Sequence, residues 1–433
     1  MNRDSILSCE LCLEVQRGDH SPSRPATVED SSRLVFRVAG VDVMAGLGSL
    51  EPGYVLVLPH RHVPSSGDLS TPERSLLHAT ARATAYLIER VFQHRVLIVE
   101  HGSSGKAAGQ AGGGCITHCH LHLFPVPWDT DPLVMVPPDA HPVAGLNLLA
   151  EAAARRQNYY YRSSLSDGGY LAVGSELVSQ YARRIWAEIL GMPDTWDWAA
   201  FPYIENCHLT IKELRRDEAH MRERLSAEIL DETLAAYASN ASRYAAATEE
   251  FAGNSTLPAQ LDELLAATRG VVLDAGAGGG RDSDYVAAAG RLAIAMDASA
   301  ALLTELTWAR DFSRLVADIR SIPLADSSVG AIWCSAVLLH LDPTGAAQAL
   351  RELRRVLDPD GLMQVSVKEG RGIRTEALIG TTAVRHFFLY ELQELTAMAE
   401  SAGFEVVKAW VEEEDSSGKT LQRWAKAVVR KSL

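Results

Sequence analysis

The chain has 433 residues, 22% of them charged and 47% hydrophobic, with a formal net charge of −14 at pH 7. Such a length supplies full cores for two or three domains, and the acidic balance argues against a general nucleic-acid binder while leaving room for a small nucleotide in a local pocket. No apolar run approaches membrane-spanning length, the N-terminus is polar without a signal-peptide core, and six cysteines without a repeating framework suit a reducing cytosol, so the expectation is a cytoplasmic protein with no membrane or nucleic-acid partner.

Cys9-Glu10-Leu11-Cys12 is the first chemical signal. A Cys-x-x-Cys pair needs two further ligands to close a tetrahedral zinc site; the alternatives are a redox pair or two plain buried thiols. The redox reading lacks the helix N-terminus and flanking pattern that lower a thiol pKa. Residues 34–44, 54–59, 95–100 and 117–124 read as strands of an antiparallel sheet, the last stopped by Pro125 and Pro127. Thr71 can cap a helix with Pro72 at its first position, and Leu76, Leu77, Leu87, Val91 and Phe92 give that helix an apolar face. In the fourth strand, His118-Cys119-His120-Leu121-His122 alternates faces, so the three imidazoles project from one side. Three rings there are costly to bury without partners; a metal, a phosphate or a catalytic task supplies them, and satisfied or exposed histidines are the bland alternative. Leu177, Tyr181, Ile185, Trp186 and Ile189 form one helical stripe ending near Gly191, and Trp196-Asp197-Trp198 reads as core rather than a base-stacking platform. The charged run 212–224 reads as a solvated helix joining two domains.

The triple-histidine run resembles the signature of the histidine-triad (HIT) superfamily, which continues with two apolar positions, here Leu123 and Phe124. Tyr54 to His62 is similar to that family's apolar strand ending in Pro and His, and Glu100-His101-Gly102 with the Gly-rich loop 103–114 is similar to its lead into the triad strand. The resemblance covers about the first half of the chain, its later part resembling the C-terminal extension of longer members. It implies that His120 is a nucleophile on the α-phosphorus of a nucleotide ester, amide or anhydride, forming a covalent nucleotidyl-histidine that water or another acceptor resolves. It implies that His122 donates to a phosphate oxygen, with backbone N–H groups of the loop, Ser103 and Gln110 as further contacts. Some relatives build a structural zinc site, and by that resemblance the ligands are Cys9, Cys12, His62 and His118, with His60 the rival for third place. Members often pair through their sheets, so a homodimer is the default.

In the second half, residues 271–280 are an apolar strand breaking into a Gly-rich turn, with a helix from about Arg281. No Lys-Ser/Thr follows Gly280, which excludes a phosphate loop, and Arg281 departs from the dinucleotide fingerprint. Residues 292–297, 315–319 and 330–337 are further strands; Asp297 can accept from both ribose hydroxyls, although each acid taken singly reads equally as a solvated strand end. Together with 322–328 and 350–361, the series resembles the class I S-adenosylmethionine-dependent methyltransferases, from about Asp231 to the C-terminus. The resemblance implies that Asp274, Gly276 and Gly278 cradle the methionine part of S-adenosyl-L-methionine, that Asp297 holds the ribose, and that Asp318 and Ile319 meet the adenine. Gly330 and Asp360 depart from the family pattern at positions that do not touch the cofactor. His340 is the best-placed base for a hydroxyl acceptor, or a structural histidine that shapes the pocket. Lys368, Glu369, Arg374, Arg385 and Tyr390, with Tyr237 and Tyr244 on an N-terminal helix, lie where relatives cover the acceptor, and residues 404–411 and 422–429 read as a closing hairpin.

The expected architecture is an α+β HIT-like domain over 1–215, an antiparallel sheet with helices; a linker helix over 216–230; and an α/β Rossmann-like class I methyltransferase domain over 231–433. The expected function is bifunctional: nucleotidyl transfer or hydrolysis, and methylation of a small molecule, two steps that one biosynthetic pathway could join. The alternative keeps the methyltransferase and makes the first domain a nucleotide sensor or docking module. The expected cofactors are S-adenosyl-L-methionine and structural Zn2+; the expected partners are a nucleotide or nucleotidylated small molecule and a small-molecule methyl acceptor.

Overall fold

In the computed structural model, Ala39 and Gly40 both adopt positive φ, 47° and 83°. That is the two-residue turn whose twist matches a right-handed hairpin, so residues 34–44 form two strands, β1 (Leu34–Val38) and β2 (Val41–Ala45), rather than one. The structure describes residues 9–17, 33–102, 118–175, 177–251, 255–305, 312–414 and 422–431. They divide into two units, Met1–Glu228 and Ile229–Leu433.

In the first unit, β3 (Val55–Pro59), β4 (Arg95–Gly102), β5 (Leu121–Val126), β6 (His141–Val143), β7 (Tyr159–Ser164) and β8 (Gly169–Val173) complete an eight-stranded antiparallel sheet of order β1-β2-β3-β5-β4-β7-β8-β6. β6, β7 and β8 were not expected. The run Tyr159-Tyr160-Tyr161-Arg162-Ser163-Ser164 lacks apolar alternation, yet all six residues are buried. Tertiary bonds make this possible: the Tyr159 hydroxyl donates to the buried Glu100 at 2.9 Å, and the same carboxylate accepts from the Ser66 N–H and hydroxyl.

Three expected boundaries move. The triad strand begins at Leu121, not at 117: Cys119 N–H donates to the Val63 carbonyl, and the β3–β5 ladder ends at the Val57–Leu121 pair. The strand also runs through Pro125 to Val126. A strand residue points its N and its C=O to the same side, and the Pro125 carbonyl accepts from the Trp186 indole at 2.7 Å, so the missing N–H costs no bond to β4. The long helix Thr71–Phe92 is capped by Ser70, whose hydroxyl accepts from Glu73 N–H while the Glu73 carboxylate accepts from Ser70 N–H; Thr71 and Pro72 occupy its first turn. Helix Tyr181–Ile189 seats Trp186 in the core and ends before Gly191, with Leu177 packed just ahead of it. The charged run forms the end of helix Ile204–Arg216 and the start of helix Glu218–Ser239. It is not wholly solvated, because Leu214 and Met221 are buried.

The second unit is built on β9 (Val272–Ala275), β10 (Ala293–Asp297), β11 (Ser313–Val316), β12 (Val329–Ser335), β13 (Leu357–Lys368), a separate hairpin β14 (Gly372–Ala377) and β15 (Val384–Leu389), then β16 (Phe404–Glu414) and β17 (Gln422–Lys431). The main sheet has order β11-β10-β9-β12-β13-β17-β16. Its first five strands are parallel, and β17 and β16 close the edge as the expected antiparallel hairpin. Residues 358–361 form an irregularity within β13, where pairing jumps from Val329–Leu357 to Ala331–Leu362. Helices Arg281–Ala288, Ala300–Thr304 and Pro343–Val356 follow β9, β10 and β12 in the chain. This is a doubly wound, Rossmann-like sheet. The chain order reverses between β9 and β12, and that switch point opens a crevice at the strands' carboxyl ends.

Candidate functional sites

Cys9 immediately precedes helix Glu10–Arg17, which carries Cys12. The pair therefore does sit at a helix N-terminus, contrary to the expectation. Burial, with Cys9 beside it, nevertheless pushes the Cys12 thiol up to about 12, the opposite of a reactive thiolate. Cys9, Cys12, His62 and His118 bring their ligand atoms within 4.8 Å of one another. The Cys12 sulfur lies 3.2 Å from His62 Nδ1 and 3.3 Å from His118 Nδ1, and the Cys9 sulfur 3.8 Å from His118 Nδ1. A tetrahedral zinc ion places sulfur and nitrogen ligands about 3.6 Å apart. His118 Nε2 donates to the Pro59 carbonyl at 2.8 Å, which leaves Nδ1 unprotonated toward the sulfurs. His60 stands outside this group, bonded to Asp42 at 2.9 Å.

The three triad rings do not share one environment. His118 turns to the cysteines, whereas His120 and His122 meet each other with ring centroids 4.6 Å apart. His120 Nδ1 donates to the His118 carbonyl at 2.6 Å, leaving the Nε2 lone pair available. The Tyr54 hydroxyl lies 2.7 Å from His122 Nδ1; with Tyr54 donating, Nε2–H of His122 becomes a donor. Burial lowers the pKa of both rings, so both are neutral at pH 7. Tyr54 escaped the sequence reading because it looked like an ordinary aromatic strand residue. The Gly-rich loop 103–114, with Ser103 and Gln110, lies outside the described residues.

In the second unit, one cavity of about 850 Å³, counted out to its open mouth, occupies the switch point. Gly276, Gly278, Asp297, Asp318 and Ile319 line it, with Tyr237, Tyr244 and His340. Gly276 and Gly278 hold φ of 81° and 53°, and a Cβ on Gly276 would lie 1.7 Å from Val337 Cγ2, so both the turn and the close approach require glycine. The Asp297 carboxylate accepts from Gly278 N–H at 3.0 Å and Ser299 N–H at 2.8 Å. Burial opposes charge on Asp318, but the bonds it accepts from Arg320 outweigh this and lower its pKa.

Asp274 departs from its expected place. It is 2% exposed, is absent from the cavity lining, and accepts from the Ser283 hydroxyl at 2.6 Å beneath the Gly-rich turn. It supports the turn rather than facing a ligand. Lys368, Glu369, Arg374, Arg385 and Tyr390 also stand outside the lining. Lys368 pairs with Glu376 at 2.8 Å and lies over the Phe387 ring, Glu369 is 3.5 Å from Arg423, Arg374 donates to Gln422, and Tyr390 donates to the Leu341 carbonyl. Leu230, Thr233 and Leu234 from helix Glu218–Ser239 line the cavity without having been anticipated.

Residues 273–365 match the family model described as "Methyltransferase domain". The second unit therefore carries a methyltransferase domain built on a Rossmann-like sheet. Over 94 residues the chain is 30% identical to the asymmetrical bis(5'-nucleosyl)-tetraphosphatase of Schizosaccharomyces pombe, which is 22% of this chain and 49% of that protein. The chain thus spans about half the length of the curated relative it matches. Similar solved structures include the Burkholderia thailandensis 1,6-didemethyltoxoflavin-N1-methyltransferase (21% identity, 48% of this chain and 91% of that one, TM-score 0.40). Another is a Methanosarcina mazei S-adenosylmethionine-dependent methyltransferase (16% identity, 40% and 97%, TM-score 0.37). Among the described residues, no helix is long and apolar enough to cross a membrane.

Burial raises the Asp274 pKa well above its ordinary 3.8, and Asp282 pushes the same way. The folded state then keeps a proton that the unfolded chain releases. Asp274 contributes stability that is full below about pH 4 and is lost as pH rises toward its folded pKa. The Asp274→Asn variant should flatten this decline in urea midpoint with pH; a decline as steep as wild type would show that another group sets it.

Proposed function

We propose that the chain is a bifunctional enzyme: its first unit cleaves or transfers a nucleoside monophosphate through His120, and its second methylates a small molecule. The observation that carries the first activity is the His120–His122 pair, whose Nε2 atoms are left as one lone pair and one donor by their bonds to the His118 carbonyl and Tyr54. The neutral His120 attacks the α-phosphorus and displaces the leaving group, and His122 donates to a phosphate oxygen as charge builds there. Water or an acceptor then releases the nucleotide from His120. The likeness to a tetraphosphatase supports this reading.

Cys9, Cys12, His62 and His118 would hold a structural zinc ion, since two sulfurs and two imidazole nitrogens at these separations fit its tetrahedral preference. Four protein ligands would leave no open position, so such an ion would tie the N-terminal helix to the segment after β3 and hold His118 beside His120.

For the second activity, Gly276 and Gly278 would accommodate the methionine part of S-adenosyl-L-methionine, Asp297 the ribose hydroxyls, and Asp318 and Ile319 the adenine. When bound, this cofactor supplies an electrophilic methyl group. The protein aligns the acceptor with that carbon and excludes water. Placement of both activities on one chain suggests consecutive steps on one compound.

With an adenosine phosphoramidate or a dinucleoside polyphosphate, wild type should release nucleoside monophosphate and His120→Ala should be slower by roughly 10³-fold or more. Equal rates would overturn the catalytic reading, and tight binding without release would make the first unit a nucleotide-docking module. Metal analysis of the purified protein should find one zinc per chain, and Cys12→Ser should lose it; a metal content unchanged in that variant would refute the ligand set. By calorimetry, Asp297→Ala should bind S-adenosylmethionine about 10- to 100-fold more weakly than wild type, and unchanged affinity would count against the ribose assignment.

A further inference from the structure

One buried cation of the first unit has no acid beside it. Arg183, on helix Tyr181–Ile189, is 4% exposed, and among the described residues no carboxylate pairs with it. Two of its nitrogens donate to main-chain carbonyls, Nε to Trp196 at 2.9 Å and Nη2 to Gly48 at 2.8 Å. Nη1 is buried without a hydrogen-bond partner. Ring faces take the place of an anion: Cζ stands 5.4 Å from the Tyr54 centroid and 5.7 Å from the Trp186 centroid, in an apolar cluster with Phe124 and Leu50. A lone charge in such surroundings is costly, yet the chain is shaped to hold it. Gly48 has a φ of 69°, and a Cβ there would lie 2.5 Å from Nη2 and 2.6 Å from Trp198 Cβ, so glycine is needed for its carbonyl to meet the guanidinium.

The ring under this cation is the one bonded to the triad. The Tyr54 hydroxyl lies 2.7 Å from His122 Nδ1, with the two rings within 7° of parallel. That bond can run in either sense, the hydroxyl donating into an Nδ1 lone pair or an Nδ1–H donating to the phenolic oxygen. A cation over the face draws electron density from the ring, which makes the hydroxyl a better donor and its oxygen a poorer acceptor. We propose that Arg183 is a positioning residue for the first unit's chemistry: its charge, acting through the Tyr54 ring, fixes the direction and strength of the Tyr54–His122 hydrogen bond and so presents His122 to the phosphate as an Nε2–H donor. This deepens the nucleotidyl-transfer reading and rests on it. Donation into Nδ1 withdraws electrons from the imidazole, so Nε2–H binds more strongly the oxygen on which charge builds. Burial first, then His120, His101 and Arg183 itself, holds the His122 pKa well below its ordinary value, so the ring keeps the lone pair that receives the tyrosine proton. Arg183 and the Trp196 carbonyl that seats it both follow the triad sheet in the chain; this later segment completes the site rather than only packing against it.

The test uses nitrogen NMR of the full-length protein with isotope-labelled histidine, the His122 signals being those lost in His122→Gln. A lone-pair nitrogen is shielded when it accepts a strong hydrogen bond. Wild type should show His122 as the Nε2–H form with a shielded Nδ1, and Tyr54→Phe marks the position of Nδ1 without that donor. Arg183→Gln keeps N–H donors for the two carbonyls and removes the charge. It should move Nδ1 toward the Tyr54→Phe position and lower kcat on a dinucleoside polyphosphate about two- to thirtyfold with KM little changed. Arg183→Lys retains the charge and should stay near wild type in both. In the Tyr54→Phe background Arg183→Gln should move Nδ1 no further, a dependence that a merely structural role would not produce. A protonated Nδ1 in wild type, a resonance that Arg183→Gln leaves in place, or equal displacement in the Gln and Lys variants overturns the proposal. If Arg183→Gln does not fold, Arg183→Lys decides: Nδ1 at the wild-type position supports the proposal, and Nδ1 at the Tyr54→Phe position overturns it. A wild type that releases no nucleotide overturns the catalytic reading instead, while the resonances still decide what Arg183 does to His122.

Discussion

A backbone carbonyl has lone pairs and no proton, so it decides the tautomer of any imidazole held against it. Three such contacts organise this protein. The Pro59 carbonyl takes the Nε2 proton of His118, the His118 carbonyl takes the Nδ1 proton of His120, and the His386 carbonyl takes the Nδ1 proton of His340. Each contact leaves the opposite nitrogen as a lone pair, which meets two cysteine sulfurs at His118 and a tyrosine hydroxyl at His340, and which in the proposed reaction would meet phosphorus at His120. None of these roles requires a charged ring, and burial keeps the rings neutral.

The two units reach this condition by different routes. In the first, the antiparallel ladder stops at Leu121 and frees the backbone of 118–120 from sheet pairing, so the His118 carbonyl can turn to its neighbour's ring. In the second, the hairpin β14–β15 carries the His386 carbonyl to His340 and its N–H to Thr233, whose side chain lines the cavity. The parallel sheet itself contributes the crevice. Gly276 and Gly278 let the backbone turn there, and Asp297 is fixed by two N–H groups before any ligand arrives.

Much of the candidate site was legible as residue type and spacing. Strand, glycine turn, helix and acid-ended strand recur over 271–297 with a regularity that local structure alone imposes, and Gly276, Gly278, Asp297, Asp318 and Ile319 do meet at one cavity. Asp274 was misplaced because strand alternation says that a residue leaves one face, not whether that face opens on a cavity or on Ser283. Likewise, alternation grouped His118, His120 and His122, but the run enters the sheet only at Leu121, and His118 goes to the cysteines. Strands β6 to β8 were missed because their burial rests on bonds to distant residues such as Glu100 rather than on an apolar pattern.

The order of residues along the chain by itself determined which atoms were available: two sulfurs, a run of imidazoles, glycines able to take positive φ, and acids at strand ends. Those are properties of side chains and of backbone within a few positions. Only the tertiary structure decided which lone pair each imidazole keeps, which acid faces the cavity, and that Tyr54 belongs to the first site. The reason is that most of these protons are placed by groups far along the chain, 59 positions between Pro59 and His118 and 103 between Tyr237 and His340, and folding alone brings them within hydrogen-bond reach.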